Sequence, residues 1–170
     1  KDLKGWKFKG EAKRSKWTVG AASMNKDKPA ELSIATRTTS SGTPLDMINA
    51  KGGIVDIYTD EKFGSMILEL EFMIPKGSNS GVYLMGEYEV QIYDTYGKKG
   101  LKVGDMASIY TYAAPSVDAC KKPGEWQKFV IDFDAPKFEG GKKIANGKFV
   151  KVTFNDQVIH ENVELTKGVT

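Results

Sequence analysis

Hydrophobic and polar positions alternate with a period of two along most of the chain. Over residues 66–74, Met66, Leu68, Leu70, Phe72 and Ile74 fall on one face, and Ile67, Glu69, Glu71 and Met73 fall on the other. That alternation predicts a strand with one face in a core. Residues 126–133 repeat it, with Gln127, Phe129, Ile131 and Phe133 on a common face. Trp126 begins that strand, and buried packing is expected of its indole. Residues 149–154 place Val150, Val152 and Phe154 together, and Asn155-Asp156 predicts a tight turn into residues 157–160. Earlier strand candidates are residues 17–19, 31–36, 54–59 and 81–85. Turn-forming residues separate the runs at 75–79, 97–100, 123–124 and 140–141. No long segment combines helical periodicity with both caps. Many short strands with Gly-rich punctuation predict an all-β sandwich or barrel. Residues 39–51 form the longest stretch without a clear strand, and read as a functional loop or a short turn of helix.

Composition narrows the class without changing it. A length of 170 residues suits one domain with one sizeable core. Forty per cent hydrophobic and 28% charged residues are ordinary for a globular chain. The net charge is only +3, and the lysine pairs Lys98-Lys99, Lys121-Lys122 and Lys142-Lys143 fall in expected turns. No basic face is offered to phosphates, so nucleic acid is not the expected partner. The single cysteine, Cys120, excludes an internal disulfide and a multi-cysteine zinc site. No apolar run approaches the roughly 20 residues that span a bilayer, so no transmembrane segment is expected. No signal peptide is visible, and a start at Lys1 is compatible with a removed export signal. Oligomeric state is not legible in the pattern.

The stretch richest in chemistry is Glu87-Tyr88-Glu89-Val90-Gln91-Ile92-Tyr93-Asp94. A period of two sends Glu87, Glu89, Gln91 and Tyr93 to one side, and Tyr88, Val90, Ile92 and Asp94 to the other. Same-face carboxylates on a strand stand about 7 Å apart, a spacing usable for acid–base work on a sugar. On pattern alone, the solvated face of an outer strand is the simpler reading. Tyr83 and Met85 share the polar face if the turn at Gly86 keeps register, and Glu69 and Glu71 lie opposite their own strand's core face. Like charges gathered on a sheet cost energy unless a metal, a proton or a cationic ligand relieves them. His160, the lone histidine, reads as a surface or hairpin residue. Lys121 and Lys122 are expected to lower the pKa of Cys120, which has no catalytic companion.

The stretch from Leu68 to Asp94, LELEFMIPKGSNSGVYLMGEYEVQIYD, resembles the 3-keto-disaccharide (3-keto-glycoside) hydrolase family. Gly5-Trp6, Ile109-Tyr110, KPGEWQKFVIDFDAPKF from Lys122 and VTFNDQVIHENVEL from Val152 extend the resemblance over almost the whole chain. It implies a concanavalin A-like jelly-roll sandwich of two antiparallel sheets with a carbohydrate cleft. It implies an exported bacterial protein, periplasmic or on the cell surface. It implies one domain over residues 1–170 that lacks the family's final loop and strand. Family motif positions carried over are Glu71, Asn79, Ser80, Gly81, Tyr88, Glu89, Gln91, Asp94, Tyr110, Pro123, Gly124, Glu125 and Trp126. Met73 and Met85 depart from a commonly basic position, and Ala107-Ser108 from a small Gly-containing pair.

The reaction so implied is cleavage of a glycoside oxidised at carbon 3. A base removes the acidified proton on carbon 2, the group on carbon 1 leaves, and water adds back. The catalytic candidates are Glu89, Glu71 and Gln91. Asn79, Tyr83, Glu87, Tyr93 and Tyr110 are the substrate-binding candidates. No cofactor is read directly. A divalent cation on Glu87, Glu89 and Asp94 is one way to hold the enolate oxygen. The expected partner is an oxidised glycoside or oligosaccharide. A retaining glucanase is disfavoured, because Gln91 stands at the middle polar position where those enzymes carry an aspartate. A non-catalytic carbohydrate-binding module of the same fold is the alternative.

Overall fold

The computed structural model describes residues 3–35, 46–50 and 55–168. The chain divides into two compact units, Lys1–Lys62 and Phe63–Thr170. Among the described residues the regular structure is strand, apart from one 3-10 turn at Ala12–Arg14. No described helix is long and apolar enough to cross a membrane.

The first unit holds β1 (Trp6–Phe8), β2 (Trp17–Met24), β3 (Leu32–Ala35), β4 (Asp46–Asn49) and β5 (Ile57–Thr59). β1 pairs antiparallel with β5, and β2 lies between β3 and β4. β2 uses Trp17–Gly20 to pair with β4 and Ala21–Met24 to pair with β3. It runs further than the predicted 17–19, because Gly20, Ala21 and Ala22 carry no alternation to read. Gly20 is required by a close approach, since a Cβ there would come within 2.6 Å of Ile34 Cγ2. β4 occupies part of the stretch read as loop or helix. Ala50 follows it as a turn residue, and residues 39–45 and 51 of that stretch lie outside the described residues, as do Thr36 and Ile54 of the predicted strands.

The second unit holds β6 (Met66–Phe72), β7 (Asn79–Leu84), β8 (Tyr88–Tyr93), β9 (Gln127–Asp134), β10 (Lys137–Glu139), β11 (Lys142–Ala145), β12 (Gly147–Phe154) and β13 (Gln157–Leu165). Its main sheet has the antiparallel order β13-β12-β9-β6. The β7–β8 hairpin forms a second layer. Tyr88, Val90, Ile92 and Leu84 of the hairpin join Phe129, Ile131, Phe133, Phe149, Val152 and Phe154 of the sheet in one buried cluster. Ring contacts tie it together: Phe129 with Phe154 at 4.7 Å, Phe72 with Phe129 at 5.1 Å, and Tyr88 with Phe133 at 5.9 Å. Each fully buried phenylalanine contributes about 1.5–3 kcal/mol of burial. The fold is thus all-β with antiparallel sheets, as the alternation predicts.

Two local expectations shift. A bulge between Phe149 and Lys151 changes the phase of β12, so Phe149 rather than Val150 reaches the core with Val152 and Phe154. Trp126 is 43% exposed, outside the core. Its neighbour Gln127 has the core side instead, so alternation sends the indole outward. The Asn155-Asp156 turn is found as predicted, with φ of +46° and +66° joining Phe154 to Gln157.

Candidate functional site

The hairpin is set by its turn. Met85 and Gly86 both take positive φ (+56° and +70°), and Leu84 pairs with Tyr88. The register then runs Tyr83 opposite Glu89, Val82 opposite Val90, Gly81 opposite Gln91 and Asn79 opposite Tyr93. Val82 and Val90 face the core, so Asn79, Gly81, Tyr83, Glu89, Gln91 and Tyr93 share the other face. The turn at Gly86 keeps register, and the facing is as the period of two predicts.

A short irregular segment occupies the other edge of β8. Ile109 bridges Val90, Tyr110 N–H donates to the Glu89 carbonyl at 3.0 Å, and Gln91 N–H donates to the Ser108 carbonyl at 2.9 Å. Ile109 is buried in the core, so Tyr110 turns to the polar face, opposite Glu89. Glu89 therefore stands in a row between Tyr83 and Tyr110.

That face is not solvated at its centre. Glu89 and Gln91 are only 7% and 6% exposed, whereas Tyr83, Tyr93, Tyr96 and Tyr110 around them are exposed. The Tyr83 hydroxyl donates to Glu89 Oε2 at 2.8 Å. The Glu89 side chain lies over the backbone of Gly81, where any Cβ would run into its carboxyl group. Gln91 Oε1 accepts from the Ile92 N–H at 3.0 Å, and its amide nitrogen is the donor end of the side chain.

Residues 1–170 match the family of 3-keto-alpha-glucoside-1,2-lyase-like domains. The chain belongs to that family. A crystal structure of a candidate glycosyl hydrolase from Parabacteroides distasonis ATCC 8503 is 30% identical over 67% of this chain and 52% of its own, with a TM-score of 0.61. A second structure of that description from the same organism is 23% identical over 64% of this chain and 55% of its own, with a TM-score of 0.50, and is similar in fold alone. The chain thus spans about half the length of these solved structures. No curated protein matches it.

Within this lyase-like domain the expected catalytic set does not converge. Glu71 is exposed on β6, and its register partner is Lys128. Its neighbours Leu70 and Phe72 face the core that separates the main sheet from the hairpin. Glu71 and Glu89 therefore stand on opposite outer faces of the two layers. Alternation gives each strand an outward side, but two outward sides need not be one cleft.

The expected cation ligands are also dispersed. Asp94 accepts from Gly77 N–H at 2.7 Å and from Tyr96 N–H at 3.4 Å, which fastens the 75–79 turn. The Glu87 carboxyl group lies against Gly168, and Glu89 is engaged by Tyr83. Among the described residues no group of three or more His, Cys, Asp or Glu is arranged to hold a metal. These residues do not fit a divalent cation.

The flanking loop is fixed by charge. Burial pushes the Asp105 carboxyl up, but a 2.7 Å ion pair with Lys98 and the Lys102 N–H hold it below the usual range. Cys120 runs against expectation. Burial, then Asp118 and Asp94, push its thiol up to about 11 despite the adjacent lysines. Sequence reasoning gave Gly81 no role beyond its place in the motif. The signal for one is a glycine inside a strand, which marks a close approach.

Proposed function

We propose that the chain carries the reactive face of a glycoside hydrolase acting on 3-keto-glycosides, with Glu89 as the base. The observation that carries this reading is the Tyr83–Glu89–Tyr110 row, a buried carboxylate between two tyrosines on the strand that bears the family motif. The family's description as a 1,2-lyase-like domain supports elimination between carbons 1 and 2. A concanavalin A-like jelly-roll across residues 1–170 and an exported location accompany the reading.

In the proposed reaction Glu89 takes the proton from carbon 2, acidified by the ketone at carbon 3. The electron pair enters the enolate, whose oxygen is held by the Gln91 amide and Asn79. Collapse of the enolate forms the carbon 1–carbon 2 double bond as the bond from carbon 1 to the leaving oxygen breaks. That oxygen takes a proton from Tyr110, because the Tyr83 hydroxyl is already engaged by Glu89. Water then adds its hydroxyl to carbon 1 and gives its other proton to the Tyr110 phenolate, while Glu89 returns its proton to carbon 2, giving net hydrolysis. Glu71 has no part in this scheme. Tyr93, beside Asn79, offers a ring to stack on a neighbouring sugar, and Glu87 at the hairpin end borders the same face.

The test is turnover of a 3-keto-disaccharide by the intact chain and by Glu89→Gln. Loss of at least about 100-fold with an unchanged melting temperature supports the base role. Undiminished turnover removes Glu89 from the mechanism. The exposed tyrosines Tyr83, Tyr93, Tyr96 and Tyr110 favour one second reading, a non-catalytic carbohydrate-binding module. Binding of an unoxidised sugar with no turnover of either sugar type would select it.

A further inference from the structure

Tyr110 stands opposite Glu89 only because residues 107–110 lie along the edge of β8. Three backbone hydrogen bonds hold them there. Ala107 N–H reaches the Gln91 carbonyl at 2.8 Å, Gln91 N–H the Ser108 carbonyl at 2.9 Å, and Tyr110 N–H the Glu89 carbonyl at 3.0 Å. The segment's backbone is not relaxed. Ala107 has φ of +65° and Thr111 +66°, a region that disfavours residues with a Cβ. Ala107-Ser108 is also where the family resemblance leads one to expect a glycine-containing pair.

Two contacts from β13 and the residues after it hold this segment and the turn that follows it. His160 Nε2 lies 2.8 Å from the Ala107 carbonyl oxygen, and both residues are buried. The Tyr112 hydroxyl accepts from Lys167 N–H at 2.7 Å and donates to the Lys167 carbonyl. A carbonyl can only accept, so the His160 Nε2 must carry a hydrogen. Burial lowers the pKa of the ring, outweighing the Ala107 contact, and favours its neutral form, in which the Ala107 carbonyl selects the tautomer with hydrogen on Nε2. His160 belongs to no metal-holding group among the described residues. Its hydrogen bond to Ala107 ends on the segment that presents Tyr110.

We propose that His160 is a positioning residue: its hydrogen bond to the Ala107 carbonyl clamps residues 107–110 on β8 and so sets Tyr110 beside Glu89. The consequence for turnover rests on the proposed function, but the clamp itself does not. Two variants of the full chain separate the hydrogen bond from the packing. His160→Phe fills the space without a donor. His160→Gln places an amide donor at nearly the reach of Nε2.

Amide hydrogen exchange is the primary reading. In His160→Phe the Ala107, Gln91 and Tyr110 amides exchange at least about tenfold faster, while Phe129 and Ile131 keep their protection. His160→Gln restores most of the difference. On a chromogenic 3-keto-α-glucoside, His160→Phe lowers kcat more than it raises KM, and His160→Gln recovers it. Unchanged exchange at Tyr110 in His160→Phe, uniform acceleration across the sheet, or no recovery in His160→Gln overturns the proposal. Should His160→Phe not fold, His160→Asn, whose amide stops short of Ala107, takes its place with the same expectations. If the wild-type chain turns over no 3-keto-glucoside, the functional reading falls, and the exchange result still decides the clamp.

Discussion

Tyr83 and Glu89 are direct partners in the β7–β8 register, and the tyrosine hydroxyl donates to the carboxylate at 2.8 Å. The bond spans a hairpin rather than a loop, so both ends are held by rigid strands. A carboxylate that is buried and oriented in this way can approach a substrate carbon without first giving up a loose shell of water. The bond also leaves Oε1 as the oxygen that overlies Gly81.

Gly81→Ala tests that placement. The added Cβ would stand within 2.9 Å of Glu89 Cδ and 3.0 Å of Cγ, too close for either to stay. The colliding group is the end of a side chain, so the strand can keep its backbone while the carboxylate moves. Turnover of a 3-keto-glycoside is expected to fall about 10- to 100-fold, the scale of an ångström-sized misplacement of a reacting group. The melting temperature should change little. Equal turnover in Gly81→Ala and wild type would show that the position of Glu89 over Gly81 does not matter.

Much of this face is legible in the chain itself, and the reasons for the rest are physical. Alternation alone assigns Glu89 and Gln91 to one side of β8, and the Met85-Gly86 turn fixes Tyr83 opposite Glu89. The separation of Glu71 from Glu89 is not legible, because strand periodicity gives the outward side of each strand but not its layer. The outward side of Trp126 is legible in the alternation, since Gln127 takes the core face, although the size of the indole argues for burial. The pairing of residues 107–110 with β8 is not legible, because the left-handed residues at its start and just after it are Ala107 and Thr111 rather than glycine. β10 and β11 are missed for another reason. Every residue in them is exposed, so they carry no hydrophobic alternation, only the Gly140-Gly141 turn between them.

Cys120 offers a check on the loop before β9. Its sequence neighbours predict an activated thiol, whereas burial with Asp118 and Asp94 pushes the pKa up to about 11. Near neutral pH the thiolate population is then on the order of 100-fold below that of an ordinary cysteine. Alkylation by iodoacetamide should be slower by a similar factor in the folded chain, and should reach the ordinary rate once the chain is unfolded in urea. Folded-state alkylation as fast as that of a free cysteine would contradict the partial burial of the Cys120 thiol.

The acid side of the stability curve should carry the mark of His160. Burial holds its folded pKa below the ordinary 6.5, against the smaller upward pull of the Ala107 hydrogen bond. Above about pH 6.5 both folded and unfolded chains keep the ring neutral, and this residue adds no pH dependence. As the pH falls below that value, the unfolded chain takes up the proton first. Stability is therefore lost progressively from about pH 6.5 down to the lowered folded pKa, below which the loss levels off. His160→Gln has no group to titrate there. Urea denaturation at about pH 7.5 and about pH 5.5 should show a larger drop in midpoint for the wild type than for His160→Gln. The difference between the two proteins isolates this residue from the carboxylates they share. Parallel drops in both would mean that His160 titrates alike in the folded and unfolded chains, which its burial between β13 and Ala107 forbids.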